Sequence, residues 1–246
     1  MQWGRVMEPS EKLGLVIPTL NEAGNIGTLL DSIRENLDTH GANYEIIVVD
    51  DDSRDGTDLV VAGYAERDPR IKLRIRKGQR GLAGAVIHGW QNSDASLLGV
   101  MDADLQHPPE LLPKLLAAMA QGYDIAIASR YVAEDGTAGW NPLRKLISTM
   151  GTWITIPLQK QMIRAKDPLS GFFVVRRSSI AGIPLHSQGF KILLEILVRG
   201  RIRSVAEIPF HFGLRHAGKS KANLKVALDY FSLLGRLSLD SLLKLG

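Results

Sequence analysis

An α/β fold, with a mostly parallel sheet and helices on both of its faces, is what this chain predicts. Three observations lead there. Short apolar runs alternate with segments of helical spacing through the first half of the chain, the pattern of strands linked by crossover helices. The 246 residues, 45% of them hydrophobic and 23% charged, suffice for one sizeable core. Acidic residues close two of the strand-like runs, Asp50–Asp52 and Asp102/Asp104, and open parallel sheets bind ligands beyond their carboxyl ends.

Taken in order, Leu13–Ile17 reads as a strand closed by Pro18. Thr19 or Asn21 is placed to cap the helix that follows over Asn21–Asn36, whose Ile26, Leu29, Leu30 and Ile33 recur at helical spacing. Tyr44–Val49 is a strand rich in β-branched residues, and Asp50-Asp51-Asp52 ends it. Arg54-Asp55-Gly56-Thr57 forms a turn and starts a helix running to Arg67. Ile71–Ile75 is a strand, Gly81–Gln91 a helix, and Leu97–Met101 a buried strand. Pro109–Gln121 is a helix opened by prolines, followed by a strand over Asp124–Ala128. The second half is less regular, with a strand-pair region at Ile202–Phe212.

Composition removes whole classes of function. With no cysteine, disulfides, thiolate metal sites and cysteine nucleophiles are excluded. Met1 to Lys12 lacks the apolar segment of a signal peptide. No window reaches the roughly 18 uninterrupted apolar residues of a spanning helix. A formal charge of +4 and a pI near 9.3 favour an anionic partner such as phosphates or a membrane surface. Nucleic-acid binding has only that pI behind it, since no recognised module is present. Neither Gly-x-Ser-x-Gly nor Gly-x-Gly-x-x-Gly occurs, and the histidines, six in all, lack metal-site spacing.

Two segments carry an amphipathic signal. Residues 136–166 mix Trp140 and Trp153 with Arg144, Lys145, Lys160, Arg164 and Lys166, a mixture that suits either a bilayer interface or a cover over the core. Residues 224–245 form a helix with Lys225, Asp229, Ser232, Arg236, Asp240 and Lys244 on one polar stripe. So much apolar surface on the remainder requires a covering of protein or lipid.

The chemistry concentrates at Met101-Asp102-Ala103-Asp104-Leu105-Gln106-His107-Pro108-Pro109-Glu110. Two carboxylates one residue apart at a strand end are placed to share a hard cation, Mg2+ or Mn2+, completed by substrate phosphates. The bland reading is a solvated strand-to-helix turn, with His107 as a solvated turn residue. The triplet Asp50–Asp52 repels itself unless a cation or several donors offset it. Glu22, after the first strand, is placed to read a base and ribose. Gly213–Ser220 has the spacing of a P-loop, G-x-x-x-x-G-K-S, which makes a nucleotide hydrolase a reading from another class. Against it, a P-loop usually opens its sheet, and here a single helix follows. The basic loop itself, with Arg215, Lys219 and Lys221, suits phosphates in either case.

Pro18–Glu22, Val48–Thr57, Asp102–Pro109, Ser129-Arg130-Tyr131, Asp167–Phe173 and Gly213–Leu224 together, in this order over nearly the whole chain, resemble the dolichol-phosphate (polyprenol-phosphate) mannosyltransferases. These are family 2 glycosyltransferases with a GT-A, Rossmann-like fold. The resemblance implies a single domain over 1–246, with 136–166 as acceptor and membrane-interface segment. It implies transfer of mannose from GDP-mannose to a polyprenyl or dolichyl phosphate at the cytoplasmic face of a membrane, by a peripheral enzyme. By motif match it places donor contacts at Pro18, Leu20, Glu22, Val49, Asp51, Asp102, Ala103, Asp104, Arg130, Arg215 and Lys221. Asp104 and Gln106 fall on the metal, and Arg144 with Ser148 on the acceptor phosphate. Asp104, Arg130, Arg144 and Arg215 would carry the reaction. Leu20 departs from the Tyr of many relatives, which bears on base stacking and leaves a UDP-sugar donor as the rival reading. A catalytically idle binding subunit is a further alternative. Some relatives carry spanning helices at the C-terminus; without them, a chain of this type relies on amphipathic segments and a small membrane anchor subunit, or is part of a longer protein.

Overall fold

The computed structural model describes residues 11–132, 155, 158–159, 163–185, 191–210 and 232–236. Strands β1 (Leu13–Thr19), β2 (Tyr44–Asp50), β3 (Ile71–Ile75), β4 (Leu97–Val100), β5 (Ile125–Ser129), β6 (Phe173–Arg176) and β7 (Val205–Pro209) form one sheet of seven, ordered β3-β2-β1-β4-β6-β5-β7. All neighbouring pairs are parallel except those of β6, which runs antiparallel to both β4 and β5. Helices α1 (Ala23–Thr39), α2 (Thr57–Arg67), α3 (Leu82–Gln91), α4 (Leu112–Ala120), α5 (Arg177–Ile180) and α6 (Ile192–Arg199) connect or flank the strands, with a 3-10 turn at Pro109–Leu111 before α4.

The central strands are apolar throughout because both faces of the sheet are covered. Every residue of β2 is buried. On one face, Leu13, Leu15 and Ile17 of β1 pack with α1, α2 and α4 through Leu29, Ile33, Val61, Leu115 and Met119. On the other, Val16, Ile47 and Val49 meet Ala83, Val86 and Trp90 of α3, and Phe173 and Val175 meet Ile192, Ile196 and Leu197 of α6. Gly89 lets α3 lie close to the sheet: a Cβ there would stand 2.5 Å from Val16 Cγ2 and 3.1 Å from Val49 Cγ2. Trp90 donates its indole N–H to the Gly99 carbonyl at 3.0 Å and meets Phe173 edge-on.

Two features of this topology set the site. Strands β1, β2 and β3 run outward in one direction while β4 lies on the other side of β1, so a crevice opens between the carboxyl ends of β1 and β4. The reversed β6 brings its amino end to that same edge, so the Asp167–Phe172 turn joins the ends of β4 and β5 there.

Several expectations are corrected. Pro18 does not end the first strand; it pairs in register with Val49 and β1 continues to Thr19. Thr19 does not cap α1, because its hydroxyl donates to Asp50 at 2.8 Å. Glu22 occupies the cap position without a side-chain capping bond, and Thr57 Oγ1 and the Asp55 carboxylate accept the N–H groups of Glu22 and Ala23 instead. Of the Ile202–Phe212 region, the described residues 202–210 hold one strand, β7, paired with β5. Strand β6 and helix α6 are additions that the sequence pattern did not isolate. Leu233 and Leu234 pack against Leu194 and Val198 of α6, while Ser232 and Arg236 are exposed. At these residues of the 224–245 segment the apolar side is covered by protein.

Candidate active site

The loop after β4 forms the floor of the site. Leu105 sits at φ 61°, the left-handed region that costs a branched residue about 1 kcal/mol or more. The turn aims Asp104 back at its own loop, whose Gln106 N–H donates to Asp104 Oδ1 at 3.2 Å. Ala103 beneath is 4% exposed.

His107 is buried, not solvated as the sequence reading expects. Only 2% exposed, it lies 5.4 Å from the Phe172 ring, 5.8 Å from Phe210 and 3.8 Å from Asp102 Oδ2. Burial pulls its pKa down to about 4 against the pull of Asp104, so the imidazole is neutral at neutral pH. His107 thereby fastens the acidic loop to the start of β6 and the end of β7.

The wall is built on Arg130, immediately after β5. Its Nε and Nη2 donate to the fully buried carboxylate of Asp167 at 2.8 and 2.7 Å, and its backbone N–H adds a third bond at 3.0 Å. Burial works against the guanidinium charge, but Asp167 outweighs it and raises the pKa. Asp167 is fixed from behind by Glu207 of β7, which accepts the N–H groups of Lys166 and Asp167 at 2.9 and 3.1 Å. Ser170 closes the turn by donating to the Ala128 carbonyl at 2.7 Å. Next to it Gly171 has no room for a side chain, since a Cβ would stand 2.7 Å from Asp102 Oδ2. The Asp102 carboxylate therefore lies against the turn that holds Arg130.

Across the crevice, the acidic triplet is split three ways and does not converge on one cation. Asp50 takes the hydroxyl of Thr19 and both the N–H and the hydroxyl of Ser53, at 2.8, 2.8 and 2.6 Å. Asp51 is 4% exposed; it accepts from Arg76 Nε at 2.8 Å and from the Gly81 N–H at 2.8 Å. Burial raises its pKa in spite of those donors. Asp52 turns outward at φ 60°. The donors that relieve the self-repulsion are thus the protein's own. Glu22 Oε2 accepts from Asn25 at 2.9 Å at the mouth of this side.

Of the residues named from sequence, Pro18, Leu20, Glu22, Val49 and Asp51 gather at the carboxyl ends of β1 and β2. Asp102, Ala103, Asp104, Gln106 and Arg130 gather at those of β4 and β5. Arg144, Ser148, Arg215 and Lys221, and the P-loop-like Gly213–Ser220, lie outside the described residues. Sequence reasoning did not single out Asp167, Arg76 or Glu207 as parts of the site. Asp167 had a signal, being the first residue of the Asp167–Phe173 motif; Arg76 and Glu207 had none, because each acts on a partner 25 or more positions away.

As chemistry, the arrangement sets carboxylate and amide oxygens opposite a rigid guanidinium. Asp104 and Gln106 offer only oxygen donors, and among the described residues no three Asp, Glu or His side chains converge. Such a partial oxygen set fits a hard divalent cation whose shell is completed by substrate phosphates and water.

Comparison with known proteins identifies the family. The profile described as Glycosyl transferase family 2 matches residues 15–183. The dolichol-phosphate mannosyltransferase of Pyrococcus furiosus is 42% identical over 226 residues, which cover 92% of this chain and 63% of that protein. The protein of the same name from Mycosarcoma maydis is 34% identical over 94% of this chain and 80% of its own length. The chain thus spans under two thirds of the Pyrococcus relative and most of the fungal one. Among solved structures, glucosyl-3-phosphoglycerate synthase of Mycobacterium tuberculosis, in complex with Mn2+, UDP and glucosyl-3-phosphoglycerate, superposes with a TM-score of 0.66 at 16% identity, over 99% of this chain and 84% of that one. Mannosyl-3-phosphoglycerate synthase of Rubrobacter xylanophilus gives 0.66 at 20% identity, over 95% and 74%. Fold, sequence and site converge: the chain belongs to glycosyl transferase family 2, as a homologue of its dolichol-phosphate mannosyltransferases, and is a glycosyltransferase of GT-A fold.

Proposed function

We propose that the protein transfers mannose from GDP-mannose to a polyprenyl or dolichyl phosphate, working peripherally at the cytoplasmic face of a membrane. The observation that carries this reading is the 34% identity to a dolichol-phosphate mannosyltransferase over 94% of the chain. The donor occupies the crevice between β1 and β4, with Pro18, Leu20, Glu22, Val49 and Asp51 toward base and ribose and Asp102 and Ala103 toward the ribose and diphosphate. Asp104 and Gln106 hold Mg2+ or Mn2+, which when bound offsets charge on the leaving diphosphate.

The chain's own residues do the rest. Arg130, fixed by Asp167, presents its remaining N–H groups to phosphate oxygens without having to reorganise. Arg215 and Lys221 serve the donor phosphates, and Arg144 and Ser148 the acceptor phosphate. A lipid phosphomonoester is already ionised near neutral pH, so no general base is required. Its oxygen attacks the anomeric carbon, a new C1–O bond forms on the face opposite the leaving group, and the old C1–O bond breaks to release GDP. One displacement inverts the configuration, giving a β-linked product from an α-linked donor.

Incubating the protein with labelled GDP-mannose or labelled UDP-glucose, a polyprenyl phosphate and Mn2+ tests the reading. Label from GDP-mannose alone passes into the lipid fraction, as a base-stable, acid-labile β-mannosyl phosphate. Transfer from UDP-glucose instead would replace the donor assignment. Retention of the donor's α-configuration would exclude the single displacement.

A further inference from the structure

Beside β7, at the edge of the sheet, lies an open cleft that no step above uses. Its volume is about 320 Å³, and Tyr123, Ile163, Arg164, Arg203, Ser204 and Glu207 stand in its wall. Tyr123 precedes β5 and Arg203 precedes β7, so the cleft begins at the amino ends of two parallel strands. Arg130 follows the carboxyl end of β5, and a strand of five residues spans roughly 16 Å. The cleft is therefore a different place from the crevice between β1 and β4. Both of its arginines rise from anchored backbone. Ile163 and Ala165 are buried on either side of Arg164, and buried Ile202 precedes Arg203, while the two arginines themselves are exposed.

The carboxylates nearby are spent on other donors. Asp124 Oδ2 accepts the N–H groups of Arg203 and Ser204 at 2.7 and 3.1 Å and the Ser204 hydroxyl at 3.3 Å. Glu207 accepts the N–H groups of Lys166 and Asp167 at 2.9 and 3.1 Å, so its charge is already shared with two backbone donors. Among the described residues no carboxylate pairs with the guanidinium of Arg164 or of Arg203. Lys166 and Arg201 are exposed next to them. A concave surface lined by one sign of charge focuses its potential inward. The repulsion between its cations falls when an anion sits between them.

We propose that this cleft is a phosphate-binding site separate from the donor crevice, with Arg164 and Arg203 as the residues that hold the anion. The ligand is a phosphate group carried by a small soluble molecule or by a lipid headgroup. Two guanidinium forks suit phosphate oxygens better than they suit a halide or a single carboxylate, because each offers parallel N–H donors in one plane. The volume lies at the lower end of the range for ligand sites, about 300–1,000 Å³, which matches a group the size of glycerol phosphate. Ile163 and Tyr123 give the carbon stem of such a ligand a less polar wall. None of this depends on the transferase reading.

The test compares wild type, R164Q, R203Q and the control R67Q, which removes an exposed arginine at the end of α2. Each is titrated by calorimetry with glycerol 3-phosphate after GDP and Mg2+ have been added in excess. Each is also sedimented with phosphatidylcholine vesicles prepared with and without phosphatidic acid. Wild type binds at least one of the phosphate probes. R164Q and R203Q, folded as judged by circular dichroism, bind it about tenfold more weakly, the loss expected of one charge-assisted hydrogen bond, and R67Q stays within about twofold. Binding of glycerol 3-phosphate names a soluble ligand; binding of phosphatidic acid vesicles alone names a headgroup. The proposal is overturned if wild type binds neither probe, or if R164Q and R203Q lose no more than R67Q. It is overturned as well if excess GDP and Mg2+ displace the glycerol 3-phosphate, which would put that ligand in the crevice. The mannosyl-transfer assay judges the enzyme separately: a wild type that passes these binding tests and transfers no sugar refutes the transferase reading and leaves the cleft assignment standing.

Discussion

Asp104 and Asp167 are both acidic residues of the site, and their surroundings give them opposite tasks. Asp104 lies in a strained loop, where it accepts the Gln106 N–H. Replacing it with alanine removes the proposed oxygen ligand without touching the core. Mannosyl transfer should then fall by about a hundredfold or more while circular dichroism and melting temperature stay near wild type. Asp167 is the reverse case. It is fully buried and its charge is shared with Arg130, so Asp167→Ala leaves a guanidinium without its counter-ion. Removing one member of such a pair costs about 3–5 kcal/mol, which denaturant titration will register, and activity falls with it because Arg130 loses its orientation. A D167A protein as stable as wild type would mean that Arg130 finds another partner.

At the scale of elements, the first half of the sheet was legible because its strands obey a local rule. Tyr44–Asp50 is a largely apolar run and Ile71–Ile75 alternates apolar and basic residues, and α2 and α3 follow them after short turns. Strand β6 was not legible for a physical reason. Phe173–Arg176 reverses direction and takes its place between β4 and β5 by pairing with residues 46 to 79 positions away, and nothing in four residues announces that. The site was legible where its residues are contiguous, as in Asp102–Gln106, and hidden where a side chain such as Arg76 reaches across from another strand.

The same scale governs two stability predictions. Gly89→Ala adds a methyl group into Val16, which sits within the central strand. Alanine improves helix propensity by up to about 1 kcal/mol, but overpacking costs about 1–3 kcal/mol, and a lower melting temperature is the expected balance. At the far end of the sheet, Asp68 joins Arg34 of α1 to Arg70 at the start of β3, at 3.0 and 2.8 Å. Arg70's hydrogen bonds, outweighing the opposing effect of burial, hold the Asp68 pKa down to about 2. A depressed carboxylate contributes stability that is fully present above its unfolded pKa, near 4, and lost as pH falls through about 2. Because Arg70 is partly exposed, solvent screening keeps the gain to about 1–2 kcal/mol. Denaturation midpoints should drop between pH 4 and pH 2 in wild type, and drop less in Asp68→Asn, which starts from a lower value at neutral pH.

Taken as a whole, the proposed function asks the molecule to bring an aqueous nucleotide sugar to a lipid phosphate, and its charge bears on how. No helix among the described residues is long and apolar enough to cross a bilayer. The chain carries +4 overall, and its sequence sets basic residues beside tryptophans over 136–166 and further basic residues over 213–221. The described parts of the first segment are tied inward: Ile163 and Ala165 join the core on the α3 and α6 face, and Gln159 bonds both backbone groups of Ala165. That anchors one end of the segment to the end of the sheet where Arg130 stands. On the proposed reading, attraction to an anionic surface would deliver the acceptor to this end of the sheet, worth about 1 kcal/mol per basic residue near the membrane and screened within a Debye length. In vesicle flotation the protein should associate with phosphatidylglycerol-containing liposomes at low salt, and should leave them when salt is raised to about 0.5 M, where the Debye length falls to a few ångströms. Neutral phosphatidylcholine vesicles should hold much less of it. Changing Arg144, Lys145 and Lys160 together to glutamine should weaken the association while leaving GDP–Mn2+ binding intact, since those residues lie on the acceptor side of the proposed mechanism. Association that is indifferent to both salt and these substitutions would show that the apolar faces, not the charge, hold the enzyme to its membrane.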